Sequence, residues 1–203
     1  MRPPRMRVAL FGRSLAGINL AEEMARAGHE VVEISDPAEL SSCEALIIAV
    51  GDARLDAAVE LLEPHVHRGL IAIHTCLSRG VQVLDPLETR GCVVAALAPI
   101  VSGRWAATTL DELGETIVDL VAGEFHADVV AFSDAERAPF AARVYYAEML
   151  HRLQVPAARE AEFFAPTEEW PPVGIGFDSQ EAIAAYRGAT DPGLDRKSTR
   201  LNS

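Results

Sequence analysis

The feature that most constrains this chain is an early change of pattern. Val8 to Phe11 is an unbroken apolar run, and it stops at Gly12. From Leu15 to Ala27 the apolar residues recur at helical spacing, and Gly28 ends them. Glu30 to Ile34 then returns to a β-branched, strand-like run. A strand, a tight turn, a helix and a second strand in immediate succession specify a parallel βαβ unit with a right-handed crossover.

The turn itself has a chemical reading. Gly12 lets the chain leave the strand sharply, and Gly17 lets the helix lie close to the sheet. Between them, the helix start offers unpaired backbone N–H groups and a positive dipole end, which suit a pyrophosphate. The full fingerprint, G-x-G-x-x-G, places a further glycine between these two. Here that position is Ser14, whose N–H can still donate, whose hydroxyl adds a donor, and whose Cβ pushes a ligand outward. Arg13 can pair with a phosphate, and Leu15 completes the loop. Asp36 follows the second strand at the distance of a ribose acceptor. The competing readings are a βαβ unit whose glycines serve only the turn, and an Asp36 that only caps a helix before Pro37.

The later pattern repeats the theme. Cys43–Val50 is a continuous apolar strand of the kind buried on both faces of a parallel sheet. Asp52 is placed to cap a helix over Ala53–Leu62, which Pro64 closes. Leu70–His74 reads as a strand, Val81–Arg90 as a short helix interrupted near Pro86, and Gly91–Leu97 as a strand ending at Ala98-Pro99. Leu110, Leu113, Ile117, Leu120 and Val121 mark the apolar face of a helix over Leu110–Ala122, and Asp128–Phe132 is a further strand. Strands alternating with helices predict an α/β fold, a doubly wound, mostly parallel Rossmann-type sheet over residues 1–132. A short helical extension follows over 133–187. It opens at Ser133-Asp134-Ala135-Glu136 with capping-box spacing, breaks near Pro139, runs on to Leu153, and resumes over Ala157–Phe164 and Asp178–Arg187. Pro166–Gly176 is irregular, and residues 188–203 have no apolar periodicity, so a disordered tail is expected. Its last residues, Arg196 to Ser203, resemble translated adapter sequence, so the tail is expected to be non-native and the extension to be cut short.

Composition excludes several classes. Thirty acids against 18 bases give a net charge of −12, and no basic run is available to bind nucleic acid or an anionic membrane. No 18-residue apolar stretch is present, and Met1–Met6 is too short for a signal peptide. Cys43, Cys76 and Cys92 are odd in number and lack paired spacing, which fits a reducing, cytoplasmic setting. His65 and His67 lack further ligands, so no metal site is expected.

Ligands of open α/β sheets lie at the carboxyl ends of the strands. The residues placed there are Gly12, Arg13, Ser14 and Leu15 after the first strand, Ser35 and Asp36 after the second, and Val50 and Gly51 after the third. His74, Thr75 and Cys76 follow the fourth, and Ala98 to Ser102 the fifth. Asp36 favours the free 2′-hydroxyl of NAD, whereas Ser35 and Arg13 favour the 2′-phosphate of NADP, so the cofactor is NADP or NAD. His74 is the candidate proton donor, with Thr75 and Ser102 as hydroxyls that orient a small substrate. The competing reading of His74 is a strand-end histidine bonded to backbone.

Residues 6–155 resemble the 6-phosphogluconate dehydrogenase-like superfamily of NAD(P)-binding Rossmann proteins. The carriers are Val-Ala-Leu-Phe-Gly-Arg-Ser-Leu-Ala-Gly, Ala-Gly-His-Glu-Val-Val, Leu-Ile-Ile-Ala-Val-Gly-Asp and Ile-Ala-Ile-His-Thr-Cys. Within it the chain is most similar to bacterial predicted oxidoreductases that add a C-terminal helical domain of unassigned function. Ile73-His74-Thr75-Cys76 matches their His-Thr-Ser-like motif, and Leu97-Ala98-Pro99 matches a His-Pro-like motif with Ala98 in place of the histidine. The resemblance implies an NAD(P)-dependent oxidoreductase acting on a small carbonyl or imine, and a homodimer through the helical part, with Phe140, Val144, Tyr145 and Leu150 as candidate contacts. The β-hydroxyacid dehydrogenases of the superfamily use a lysine as general acid/base, and the single lysine here is Lys197, in the tail. That departure supports the alternative of a non-catalytic dinucleotide-binding or sensing module.

Overall fold

The computed structural model describes residues 5–101 and 103–160, together with Gln180, Ile183 and Arg187. Strand β1 (Arg7–Gly12), helix α1 (Leu15–Ala27) and strand β2 (Glu30–Ile34) form the opening unit. Gly28 ends α1 at φ 108°, and its N–H closes onto Met24 and Ala25. A 3-10 turn, Pro37–Ser42, leads to β3 (Ala45–Ala49), whose five residues are all buried. Next come α2 (Asp52–Leu62), β4 (Ile71–His74), a 3-10 turn over Val81–Leu84, α3 (Asp85–Thr89) and β5 (Val93–Val101). The described chain continues through β6 (Arg104–Thr109), α4 (Glu112–Glu124), β7 (Asp128–Ala131) and α5 (Asp134–Glu160).

The seven strands form one sheet in the order β2-β1-β3-β4-β5-β6-β7. Every neighbouring pair is parallel except β5 and β6. The chain winds outward from β1 in both directions, so the crevice of an open α/β sheet lies over the carboxyl ends of β1 and β3. Leu20, Met24, Val118 and Val121 bring α1 and α4 onto one face. Leu55, Val59, Leu62 and Leu87 bring α2 and α3 onto the other. Residue alternation along β5 carries that second face on to Ala98 and Ile100, where Ala141, Ala142 and Tyr145 of α5 cover it.

Four expectations are corrected. β5 does not end at Leu97; it runs through Ala98 and Pro99 to Val101 and turns back at Gly103 (φ 74°) into β6. Pro99 stands where the ladder shifts register, which accommodates its missing N–H. Because the last β4–β5 pair is His74 with Ala96, the hairpin rises about 16 Å beyond the end of β4 and walls one side of the crevice. Second, α4 is turned on its axis relative to the sequence reading. It buries Gly114, Val118, Val121 and Ala122, and leaves Leu110, Leu113 and Leu120 exposed. Its start is set by Asp111, whose carboxylate accepts from the Gly114 N–H at 2.8 Å. An Asp111→Ala variant should lose about 1 kcal/mol of stability, read as a lower urea midpoint at unchanged slope.

Third, α5 is a single helix across Pro139. Proline here removes one helical hydrogen bond, while Arg137, Ala141, Ala142 and Tyr145 bury the adjoining turns. Tyr145 therefore packs inward, Phe140 stacks on Phe132 with ring centroids 4.3 Å apart, and Leu150 is exposed. Fourth, Asp52 is the first residue of α2, not its cap, which is Gly51. The expectations for residues 161–203, apart from the three isolated positions, and for Ser102 lie outside the described residues.

Candidate functional site

The turn after β1 is built around Ala49 at the end of β3. Gly12 has φ 93°, and a Cβ there would lie 2.4 Å from the Ala49 carbonyl oxygen. A Cβ on Gly17 would lie 2.2 Å from the Ala49 Cβ. Both glycines are thus required by close approach of β1 and α1 to β3, which is the geometry of the fingerprint. Ser14 caps α1: its Oγ accepts from the Gly17 N–H at 3.2 Å, and its own N–H donates to the Ala49 carbonyl at 2.8 Å. Its hydroxyl is therefore engaged inward, 3.4 Å from the Thr75 Oγ1, and does not project toward a ligand as the sequence had suggested. The first-turn N–H groups of Leu15 and Ala16 have no intrahelical acceptor. Leu15 is half exposed at this rim.

At the end of β2, Ser35 and Asp36 are exposed. One carboxylate oxygen of Asp36 accepts from the Ala38 N–H at 2.9 Å, within a capping box completed by Glu39. Asp36 is thus a cap, and its second oxygen keeps acceptor capacity. Arg13 is directed to Glu33, at 3.4 Å, in an exposed ion pair. Such a pair is worth at most about 1 kcal/mol, so a phosphate can compete for the guanidinium.

The end of β4 is more tightly built. His74 is fully buried. Its Nε2–H donates to the Gly80 carbonyl at 2.9 Å, and its Nδ1 accepts from the Cys76 N–H at 3.2 Å. Burial, reinforced by the nearby Arg137 charge, lowers its pKa to about 3. Neutral and bonded at both nitrogens, His74 holds the loop after β4 and has no nitrogen left for a substrate. Thr75 is buried beside Ser14. The Cys76 thiol donates to the Val50 carbonyl at 3.2 Å, which joins the ends of β3 and β4 next to Gly51. Cys43, Cys76 and Cys92 are all buried and outside any disulfide.

Sequence reasoning missed the partners of this loop. Asp52 accepts a short hydrogen bond from the Ser78 hydroxyl. Asp134 accepts from the Val81 and Gln82 N–H groups at 2.8 and 3.0 Å. Arg137, fully buried, donates from Nη2 to the Cys76 carbonyl at 2.9 Å and from Nε to the Arg79 carbonyl at 3.1 Å. Burial pushes its pKa down to about 10, so it remains charged at neutral pH. The readable signal was a stripe: Asp134, Arg137, Ala141 and Tyr145 fall at i, i+3, i+7 and i+11, a charged pair on the face that meets the sheet.

A family model described as a Rossmann-like domain matches residues 37–99. No curated protein matches this sequence. Among solved structures, 3-hydroxyisobutyrate dehydrogenase of Mycobacterium tuberculosis is similar at a TM-score of 0.65 and 12% identity, over 95% of this chain and 91% of that one. Pyrroline carboxylate reductase of Plasmodium falciparum, determined with NADP bound, gives 0.59 and 11%, over 97% and 92%. Prephenate dehydrogenase of A. aeolicus, determined with hydroxyphenyl propionate and NAD+, gives 0.58 and 12%, over 97% and 82%. At these identities the likeness is one of fold. The α/β, mostly parallel Rossmann-type fold read from the sequence is borne out at that level.

Proposed function

We propose that this protein is an NAD(P)-dependent oxidoreductase of a small carbonyl or imine substrate. The observation that carries the reading is the pair of glycines that a Cβ would drive into Ala49, directly beneath the start of α1. Gly12 makes the sharp turn and Gly17 the close helix–sheet packing that set the start of α1 for a dinucleotide, and the N–H groups of Leu15 and Ala16 are offered to its pyrophosphate. The remaining oxygen of Asp36 accepts a ribose hydroxyl. Glu39, in the same capping box, adds a second negative charge there, which disfavours a 2′-phosphate. Val50 and Gly51 border the path to the other half. When bound, the nicotinamide supplies or takes up the hydride. His74 holds the loop that carries Thr75, which is buried beside Ser14. The fold's described helices include none long and apolar enough to cross a membrane. A cytoplasmic setting and a homodimer using Leu150 of α5 belong to the same reading.

A fluorescence titration tests it. NADH should bind with a dissociation constant well below millimolar, and NADPH more weakly. Asp36→Ala should narrow that preference by roughly tenfold, the worth of one hydrogen bond to a charged group. Absence of binding by either cofactor at millimolar concentration would remove the proposal. A second reading, a binding module without turnover, is favoured by one observation: both ring nitrogens of His74 are already committed. Cofactor binding without oxidation or reduction across a panel of ketones, oxo acids and imines would select it.

A further inference from the structure

Six backbone polar groups between Cys76 and Gln82 are held by three side chains. From the sheet, His74 takes the Cys76 N–H and the Gly80 carbonyl. From α5, Arg137 takes the Cys76 and Arg79 carbonyls, and Asp134 takes the Val81 and Gln82 N–H groups. The fit leaves no slack: a Cβ on Gly80 would lie 2.1 Å from the Asp134 carboxyl carbon.

Arg137 is an expensive way to fasten a loop. Its charge is buried and its Nη1 has no hydrogen-bond acceptor, so the pull of Asp134 and Asp52 offsets only part of the cost of burial. An apolar side chain would fill the same place at lower cost. What the guanidinium adds is geometry, since two donors in one rigid plane fix two carbonyls three residues apart. The fixed segment also has a defined position. It leaves β4 beside the phosphate turn, with Thr75 3.4 Å from Ser14, on the side of β1 opposite to β2 and Asp36. A dinucleotide seated at the start of α1 lays its adenosine toward β2 and its other half toward this loop.

We propose that Arg137 and Asp134 are positioning residues for the nicotinamide half of the cofactor, holding Thr75–Gln82 as the wall on which that half rests. The proposal rests on the cofactor reading above. It makes α5 part of the dinucleotide site without either side chain touching the dinucleotide.

The signature is selective. ADP-ribose keeps the pyrophosphate and both ribose positions but lacks the nicotinamide, so it does not need the wall. In titrations of the full chain, Arg137→Met and Asp134→Ala should weaken NADH binding about tenfold and leave ADP-ribose within about twofold. Hydrogen exchange in residues 75–82 should rise in the same variants. Gly80→Ala, which displaces Asp134 from the loop side, should reproduce the pattern and keeps the test alive if Arg137→Met does not fold. Equal weakening of both ligands, or unchanged affinity for both, overturns the proposal while the cofactor reading stands. A wild-type chain that binds neither ligand overturns the cofactor reading, and this one with it.

Discussion

Gly17→Ala should lose about 1 to 3 kcal/mol of stability together with most of the cofactor affinity, and Ala49→Gly in the same chain should restore part of both. The reason is local. The added methyl at position 17 meets the Ala49 Cβ at 2.2 Å and its Cα at 2.8 Å, and a glycine at 49 removes the tighter of the two contacts. Gly12→Ala should cost more, about 2 to 4 kcal/mol. It combines a left-handed backbone at φ 93° with a methyl 2.4 Å from the Ala49 carbonyl oxygen. Ala49→Gly cannot relieve that contact, because the obstacle is backbone. Urea unfolding of the two single variants and two double variants separates the cases. Rescue of both glycine variants by Ala49→Gly, or of neither, would show that the turn is not packed as described.

Acid should destabilise the protein through His74. The folded state holds this imidazole neutral down to about pH 3, because it is buried and lies near Arg137. The unfolded chain takes up the proton near the ordinary value of 6.5. Its contribution is therefore complete above pH 6.5 and is lost as pH falls from there toward 3, at about 1.4 kcal/mol per unit. Between pH 6.5 and 4.5 the loss is about 2 kcal/mol from this one residue. Glutamine can offer a donor to the Gly80 carbonyl and an acceptor to the Cys76 N–H with no proton to gain. His74→Gln should consequently flatten the stability–pH curve over that range by close to one proton's worth. A variant curve parallel to wild type would mean that His74 titrates normally in the folded protein. The same substitution bears on catalysis: a histidine that only fastens a loop contributes no ionisation to a rate–pH profile.

The opening βαβ unit was legible almost to the residue. Leu15–Ala27 and Glu30–Ile34 were bounded correctly because glycine at 28 and an abrupt change of period leave few alternatives. Cys43–Val50 was readable for a different reason, since a strand buried on both faces needs no alternation. Strand β6 was not readable. Arg104-Trp-Ala-Ala-Thr-Thr has little contrast between its faces, and Ala98-Pro99 looked like the end of the sheet. On α4 the period was right and the face was only partly right: Ile117 and Val121 meet the sheet cluster as read, whereas Leu110, Leu113 and Leu120 do not. Leu113 and Leu120 share a stripe, yet the sheet is met by Gly114, Val118 and Ala122, because small residues allow closer packing. In the site, the sequence placed His74 and Thr75 at a strand end, but position alone does not say which hydrogen bonds are already made. The ties to Arg137 and Asp134 join residues far apart in the chain; the stripe they form on α5 marks a charged pair on a packed face but does not name the loop it meets.

That separation in sequence also orders the protein's assembly. The contacts that fasten the loop after β4 join Val81 to Asp134 and Cys76 to Arg137, separations of 53 and 61 residues. On a ribosome adding about 5 to 20 residues per second, the glycine turn and the first four strands emerge about 3 to 12 seconds before the side chains that fasten the loop after β4. A nascent chain would thus own its glycine turn well before it owned a finished binding surface.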